Sequence, residues 1–204
     1  MSGRLLIATN NAGKVEELRE LLADVNMQSV TPREIGLSLE VEEDGHTYAE
    51  NASKKARAFA QASGLLSLAD DSGLEVDALN GAPGLYSARY SPRPGATDAD
   101  RRQFLLQNLR TAQTPPPWAA RFHATLVIAL PSGRVEIAEG FCAGEIILEE
   151  RGRGGFGYDP IFLLPQLGLT MAELDREQKN RLSHRGRAVQ EILPLLKGML
   201  ERES

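Results

Sequence analysis

The 204-residue sequence has one cysteine, Cys142, so an intrachain disulfide is impossible. A reduced, cytoplasmic setting is the simplest expectation. Cys142 sits in a strand-like run and reads as packing. The three histidines, His46, His123 and His184, are scattered and lack zinc-type spacing. Lysine is scarce: Lys14, Lys54, Lys55, Lys179 and Lys197 are the full set, and every other basic residue is arginine. No apolar run approaches the roughly 20 residues that a membrane span needs. Met1-Ser2-Gly3-Arg4 leads straight into an apolar run, without the charged-then-apolar layout of a leader. No Gly-x-Ser-x-Gly elbow occurs, so nucleophilic serine chemistry has no support. The net charge of −5 argues against a broad nucleic-acid-binding surface.

What is present is ordinarily globular: 42% hydrophobic and 25% charged residues, enough chain for one sizeable domain of one or two lobes. Strand-like and helix-like segments interleave. The opening stretch LLIATNNAGKVEELRELL reads as strand, polar turn and helix, with Val15, Leu18, Leu21 and Leu22 at helical spacing. A second short strand follows near Met27, with a turn around Pro32. Thr47 to Ala62 reads as an Ala-rich helix ended by Gly64. LLSLADDSGLEVDAL reads as strand, turn, then strand or short helix. Residues 99–109 read as a helix with Asp98 as a possible N-cap. Two β-rich runs flank a Pro-Ser-Gly-Arg turn, which predicts a hairpin. Thr170 and Glu173 fit a capping box that opens a helix through about Leu182, and Ser183 is a candidate cap for a last helix to about Glu201. The Pro-rich segment near 110–118 is the candidate connector between lobes. An α/β domain with a mixed sheet is expected.

Four stretches carry possible chemistry. At the first turn, Thr9-Asn10-Asn11-Ala12-Gly13-Lys14 precedes a helix. It is not a Walker A loop, which needs Gly first and Ser or Thr after the Lys. A helix N-terminus still offers unpaired N–H groups and partial positive charge, and Lys14 adds a full charge, so phosphate binding and plain turning are both open. Next, Asp70 and Asp71 close a buried-looking run, a costly placement unless something neutralises them. Mg²⁺ suits such a pair, because it takes oxygen ligands and keeps several waters. Glu42 or Glu43, in the acidic patch ahead of Gly45, is a candidate partner for Asp71; spacing alone does not choose.

The remaining two lie in the last third. In GGFGYDP, Phe156 among glycines can stack on a base while Asp159 or nearby main chain reads its edge. In REQKNRLSHRGRA, Lys179, His184, Arg185 and Arg187 gather positive charge around a helix junction.

Taken in order, TNNAGKVEEL, EEDGHTYAENASKKA, LADDSGLEVDALNGAPGLYSARY, GGFGYDPIF and KNRLSHRGRA resemble the inosine/xanthosine triphosphate pyrophosphatase family over about residues 4–195. The resemblance implies an elongated mixed sheet flanked by helices, forming two lobes around a central cleft, and a homodimer. It also implies Mg²⁺-dependent hydrolysis of ITP, dITP and XTP to the monophosphate and pyrophosphate. By the same resemblance, Thr9, Asn10, Asn11, Ala12, Gly13 and Lys14 match the phosphate-binding turn, although the family often has Gly at position 10. Glu43 matches a metal-binding Glu, and Asp71 a metal ligand and general base with Asp70 beside it. Lys55 matches a cleft lysine and Ser72 a substrate contact. Phe156, Gly157, Tyr158 and Asp159 match the base-recognition loop, and Lys179, His184 and Arg185 match residues that contact substrate and help to select the base. His184 and Arg185 on one side, with Asp159 on the other, are the expected base readers. A pyrimidine or methylated-nucleotide pyrophosphatase, or a nucleotide sensor without turnover, are the rival readings.

Overall fold

The computed structural model describes residues 3–202. Seven strands form one mixed sheet in the order β2-β1-β3-β4-β5-β6-β7. They are β1 (Gly3–Ile7), β2 (Met27–Val30), β3 (Leu66–Val76), β4 (Trp118–Ala129), β5 (Val135–Ile146), β6 (Phe162–Leu164) and β7 (Leu169–Thr170). β1 pairs in parallel with both β2 and β3, whereas β6 is antiparallel to both β5 and β7. The helices are α1 (Ala12–Leu21), α2 (Tyr48–Ser63), α3 (Asp98–Thr111), α4 (Arg176–Leu182) and α5 (His184–Arg202). No helix among the described residues is long and apolar enough to cross a membrane.

The chain divides into two compact units. The first comprises residues 1–71, 124–140 and 185–204, and the second residues 72–123 and 141–184. The chain passes from one to the other inside β3, β4 and β5 and at the start of α5, while residues 110–118 lie within the second unit.

In the first unit the two faces of the sheet bury different helices, and β3 shows why. Strand side chains alternate between faces. Leu66 and Leu68 join Leu5, Ile7 and Leu18 with the α5 stripe Ala188, Val189, Ile192, Leu196 and Met199. Ala69 joins Leu6 and Ala8 with the α2 stripe Ala52, Ala56, Phe59 and Ala60. The small alanines let α2 lie close to the strands. Asp70 therefore continues the α1/α5 face and Asp71 the α2 face. The second unit has its own core, in which Leu105, Leu106 and Leu109 of α3 pack with Trp118, Phe122, Phe162 and Met171.

Three expectations need correction. Residues 66–76 form one unbroken strand, so Asp70 and Asp71 sit inside it and not at its end, and no turn follows them. The cap of α3 is Thr97, which forms a reciprocal capping box with Asp100; Asp98 is the first helical residue. The capping box of Thr170 and Glu173 opens only a short 3-10 turn, because Leu174 turns extended, and α4 then starts from a second box, Asp175 with Gln178. The hairpin is present: β4 and β5 are neighbours, joined by a turn in which Leu130 N donates to Arg134 O.

Candidate functional site

Two clusters gather the residues singled out above, one in each unit. In the first unit the centre is Asp70. Its carboxylate is fully buried, accepting from Arg185 Nε at 2.7 Å and pairing with Lys14 Nζ at 2.5 Å. Burial alone would push this carboxyl up, but Arg185 and Lys14 together outweigh it and hold it well below the usual carboxylate range. Arg185, 1% exposed, spends another nitrogen on Glu17 of α1 at 2.5 Å. Burial disfavours the charged guanidinium, yet Asp70 and Glu17 more than reverse that, and its pKa rises.

Asp71, on the opposite face, is in a different state. Burial pushes its carboxyl up. Lys14, Lys55 and the Asn51 amide pull it down, and the Glu43 charge adds to the rise, leaving it net raised. Asn51 does two jobs: its Nδ2 donates to Asp71 Oδ2 at 3.0 Å, and its Oδ1 accepts from Gly45 N at 2.8 Å. It thereby ties the acidic segment to β3. Glu43 is half-buried and ion-paired with Lys55, whereas Glu42 is exposed, so Glu43 is the carboxylate whose charge bears on Asp71. Lys55 Nζ and Lys14 Nζ both also reach the main-chain oxygen of Asp70, at 3.3 and 3.4 Å.

The turn ahead of α1 is built as a cap. Asn11 Oδ1 accepts from Lys14 N at 3.1 Å, and Thr9 Oγ1 accepts from Asn11 N at 3.2 Å. Asn10, Asn11 and Ala12 are exposed; Thr9, Gly13 and Lys14 are half-buried. An exposed helix N-terminus next to an ammonium suits an anion.

Among the described residues no group of three or more His, Cys, Asp or Glu side chains is placed to hold a metal ion. Glu43 and Asp71 nevertheless fit a hard divalent cation. Both offer oxygen, their like charges repel, and a cation would offset the burial that raises Asp71.

In the second unit the centre is the loop 154–159. Asp159 Oδ2 accepts from Phe156 N at 2.9 Å and from Lys179 Nζ at 2.7 Å, and the same ammonium lies 5.4 Å from the Phe156 ring centroid. Gly155, at φ +70°, is required twice over: its backbone is left-handed, and a Cβ there would run into the Asp159 carboxylate and come within 2.7 Å of Lys179 Nζ. Gly157 N donates to Asp98 Oδ2, and the Tyr158 hydroxyl donates to Ser87 O. Burial pushes the Tyr158 phenol well up, so it stays protonated as a donor. Ser72 follows Asp71 in β3 and is half-buried.

His184 is buried with its ring stacked on Phe122, centroids 4.7 Å apart, and Arg185 pairs with Asp70 and Glu17 in the first unit. Sequence reasoning missed Asn51, whose polar side chain sits on the buried stripe of α2 in register with Ala52, Lys55 and Ala56. A polar residue on an otherwise apolar stripe is the signal that would have found it. Glu17 gives no such signal, since its partner is 168 positions away.

The sequence profile of the Ham1 family matches residues 5–195. A dITP/XTP pyrophosphatase of Desulforamulus reducens is 50% identical over 193 residues, covering 95% of each chain. One from Thermus thermophilus is 47% identical over 194 residues, covering 95% of this chain and 92% of its own. Among solved structures, a HAM1 protein from Coxiella burnetii superposes with a TM-score of 0.86 at 40% identity, covering 97% of this chain and all of its own. A nucleoside-triphosphatase / dITP/XTP pyrophosphatase from Mycobacterium abscessus gives 0.72 at 39% identity, with 94% and 99% covered.

Proposed function

Because this chain belongs to the Ham1 family, we propose that it is a nucleoside-triphosphate pyrophosphatase. It hydrolyses dITP, XTP and ITP to the monophosphate and pyrophosphate and so clears non-standard purines from the nucleotide pool. The observation that carries the reading is the unequal pair in β3: Asp70 locked as an anion by Arg185 and Lys14, and Asp71 with its carboxyl raised beside Glu43, Lys14 and Lys55.

The two aspartates divide the work. Asp71 is the general base: Asn51 fixes its orientation, and the neighbouring Asp70 is locked as an anion by Arg185 and Lys14. It takes a proton from the water that attacks the α-phosphorus, and the bond to the β-phosphate breaks. Asp70 is too strongly stabilised as an anion to accept that proton; it holds Lys14 in place. Lys14, Lys55 and the N-terminus of α1 stabilise the charge on the departing pyrophosphate. Glu43 and Asp71 would hold Mg²⁺, which when bound supplies charge neutralisation on the triphosphate oxygens. Phe156 stacks on the purine, with Asp159 and Lys179 reading its edge. A mispaired buried group costs about 1–3 kcal/mol, enough to favour an oxo over an amino substituent. Arg185 then acts as a positioning residue through Asp70. The reading includes a homodimer working in the cytoplasm, with neither nucleic acid nor membrane as partner.

The test is pyrophosphate release from dITP, XTP, dATP, dGTP, dUTP and dTTP, each with Mg²⁺ and with EDTA. Release confined to dITP and XTP, and lost in EDTA, is expected. Asp71→Asn should lower kcat by about 10²–10⁴-fold at an unchanged melting temperature. Release from pyrimidines alone would overturn the substrate, and binding of dITP without turnover would overturn the enzyme.

A further inference from the structure

The loop that we assign to base recognition is gripped from outside by α3. Gly157 N donates to Asp98 Oδ2 at 2.8 Å, and Gly157 O accepts from Arg102 Nη1 at 2.7 Å. The N–H belongs to the peptide joining Phe156 to Gly157, and the C=O to the peptide joining Gly157 to Tyr158. Both peptide planes flanking Gly157 are thus fixed, and with them its left-handed backbone at φ +61°. A Cβ at Gly157 would meet nothing within 4 Å, so backbone conformation and not space is what requires glycine here.

The two gripping side chains are themselves held. Arg102 is 12% exposed and makes a paired contact with Glu150, Nε to Oε1 and Nη2 to Oε2, both at 2.9 Å. Asp98 uses its other oxygen on Arg101, whose Nη1 donates to Ala96 O at 2.7 Å. Asp98 stays ionised, so its acceptor oxygens persist at neutral pH. All of these residues belong to the second unit.

We propose that Asp98 and Arg102 are positioning residues for substrate selection: by clamping both peptides of Gly157 they set where Phe156 and Asp159 present themselves to the base. The proposal rests on the reading of the 154–159 loop as the base-recognition element. Both residues belong to the second unit, and the proposed phosphate-handling cluster to the first. Their loss therefore loosens discrimination more than turnover.

The experiment compares kcat and KM for dITP and dGTP, with melting temperatures, in the unaltered protein and in Asp98→Ala, Asp98→Asn, Arg102→Met and Phe156→Ala. Asp98→Ala and Arg102→Met are each expected to narrow the dITP-to-dGTP ratio of kcat/KM by about tenfold, mainly through KM for dITP. Asp98→Asn keeps an acceptor for the Gly157 N–H and should hold the ratio within about twofold of the starting value. Should Asp98→Ala fail to fold, Arg102→Met carries the test, because it leaves the start of α3 intact. A ratio kept by both clamp variants and lost in Phe156→Ala overturns the clamp alone. Equal losses of kcat on both nucleotides that track a fall in melting temperature overturn it too, by showing a merely structural role. An unaltered protein with no preference for dITP overturns the base-reading loop, and the clamp with it.

Discussion

Asp70 in the first unit and Asp159 in the second are both buried carboxylates facing cations, yet they are held in opposite ways. Asp70 sits mid-strand, and its partners Lys14 and Arg185 come from helices 56 and 115 positions away. Asp159 is held by the N–H of Phe156, three residues off, and by Lys179, twenty residues off. The first is an ion network that locks secondary structures together. The second is a local loop clasp completed by one lysine. Buried charge of the first kind belongs to the folding energetics of its unit, whereas the second kind can be rearranged without dismantling a core.

That contrast is broken most sharply at Arg185. Arg185→Met removes a buried cation and leaves Asp70 and Glu17 underpaired, which should cost about 3–5 kcal/mol of stability. Urea unfolding measures it. A change below about 1 kcal/mol would mean that the network stabilises nothing.

At Lys179 the balance should invert. Lys179→Met leaves Asp159 its backbone donor, so stability should fall by only about 1–2 kcal/mol. Discrimination should suffer instead, with the dITP-to-dGTP ratio narrowing by about tenfold. Paired unfolding curves and substrate kinetics on the two variants decide the comparison. If Lys179→Met proves as destabilising as Arg185→Met, the two carboxylates are equivalent after all.

The same contrast explains what was legible in the sequence. Local rules found the strand–turn–helix of 5–22, the helix ended by Gly64, the hairpin and the last helix, because each depends on neighbours in the chain. They also flagged Asp70, Asp71, Lys14 and Phe156 as chemistry-bearing. They ended the strand at Asp70 and Asp71, since charged residues are rare within strands and only Arg185, Lys14 and Asn51, brought in by the fold, make the longer strand tolerable. Glu17 and Arg102 escaped for the same reason. Each looks like ordinary helix surface until its distant partner, Arg185 or the Gly157 carbonyl, is in place. The cap of α3 was displaced by one residue, because Thr97 and Asp98 are both good caps and only the reciprocal bond to Asp100 separates them.

The smallest effect lies at that cap, the most local of these carboxylates. Asp100 accepts from Thr97 N and Thr97 Oγ1 at 2.8 and 2.6 Å, and from Arg93 at 2.6 Å. The Thr97 bonds lead in pulling its carboxyl down to about 2, with Arg93 adding to them. A depressed folded-state pKa contributes stability above the unfolded value near ~4, and that contribution is lost as pH falls through the folded value. Asp100→Asn keeps an acceptor but removes the charge. The melting temperature of the variant should therefore lie below that of the unaltered protein at neutral pH. The gap should close as pH falls from about 4 toward 2, where Asp100 itself becomes neutral. Melting curves across that range provide the check. A gap that persists unchanged at the acid end would assign the effect to lost cap geometry instead of charge. Asp100 would then resemble Asp159, held by local hydrogen bonds, more than Asp70, held by its cations.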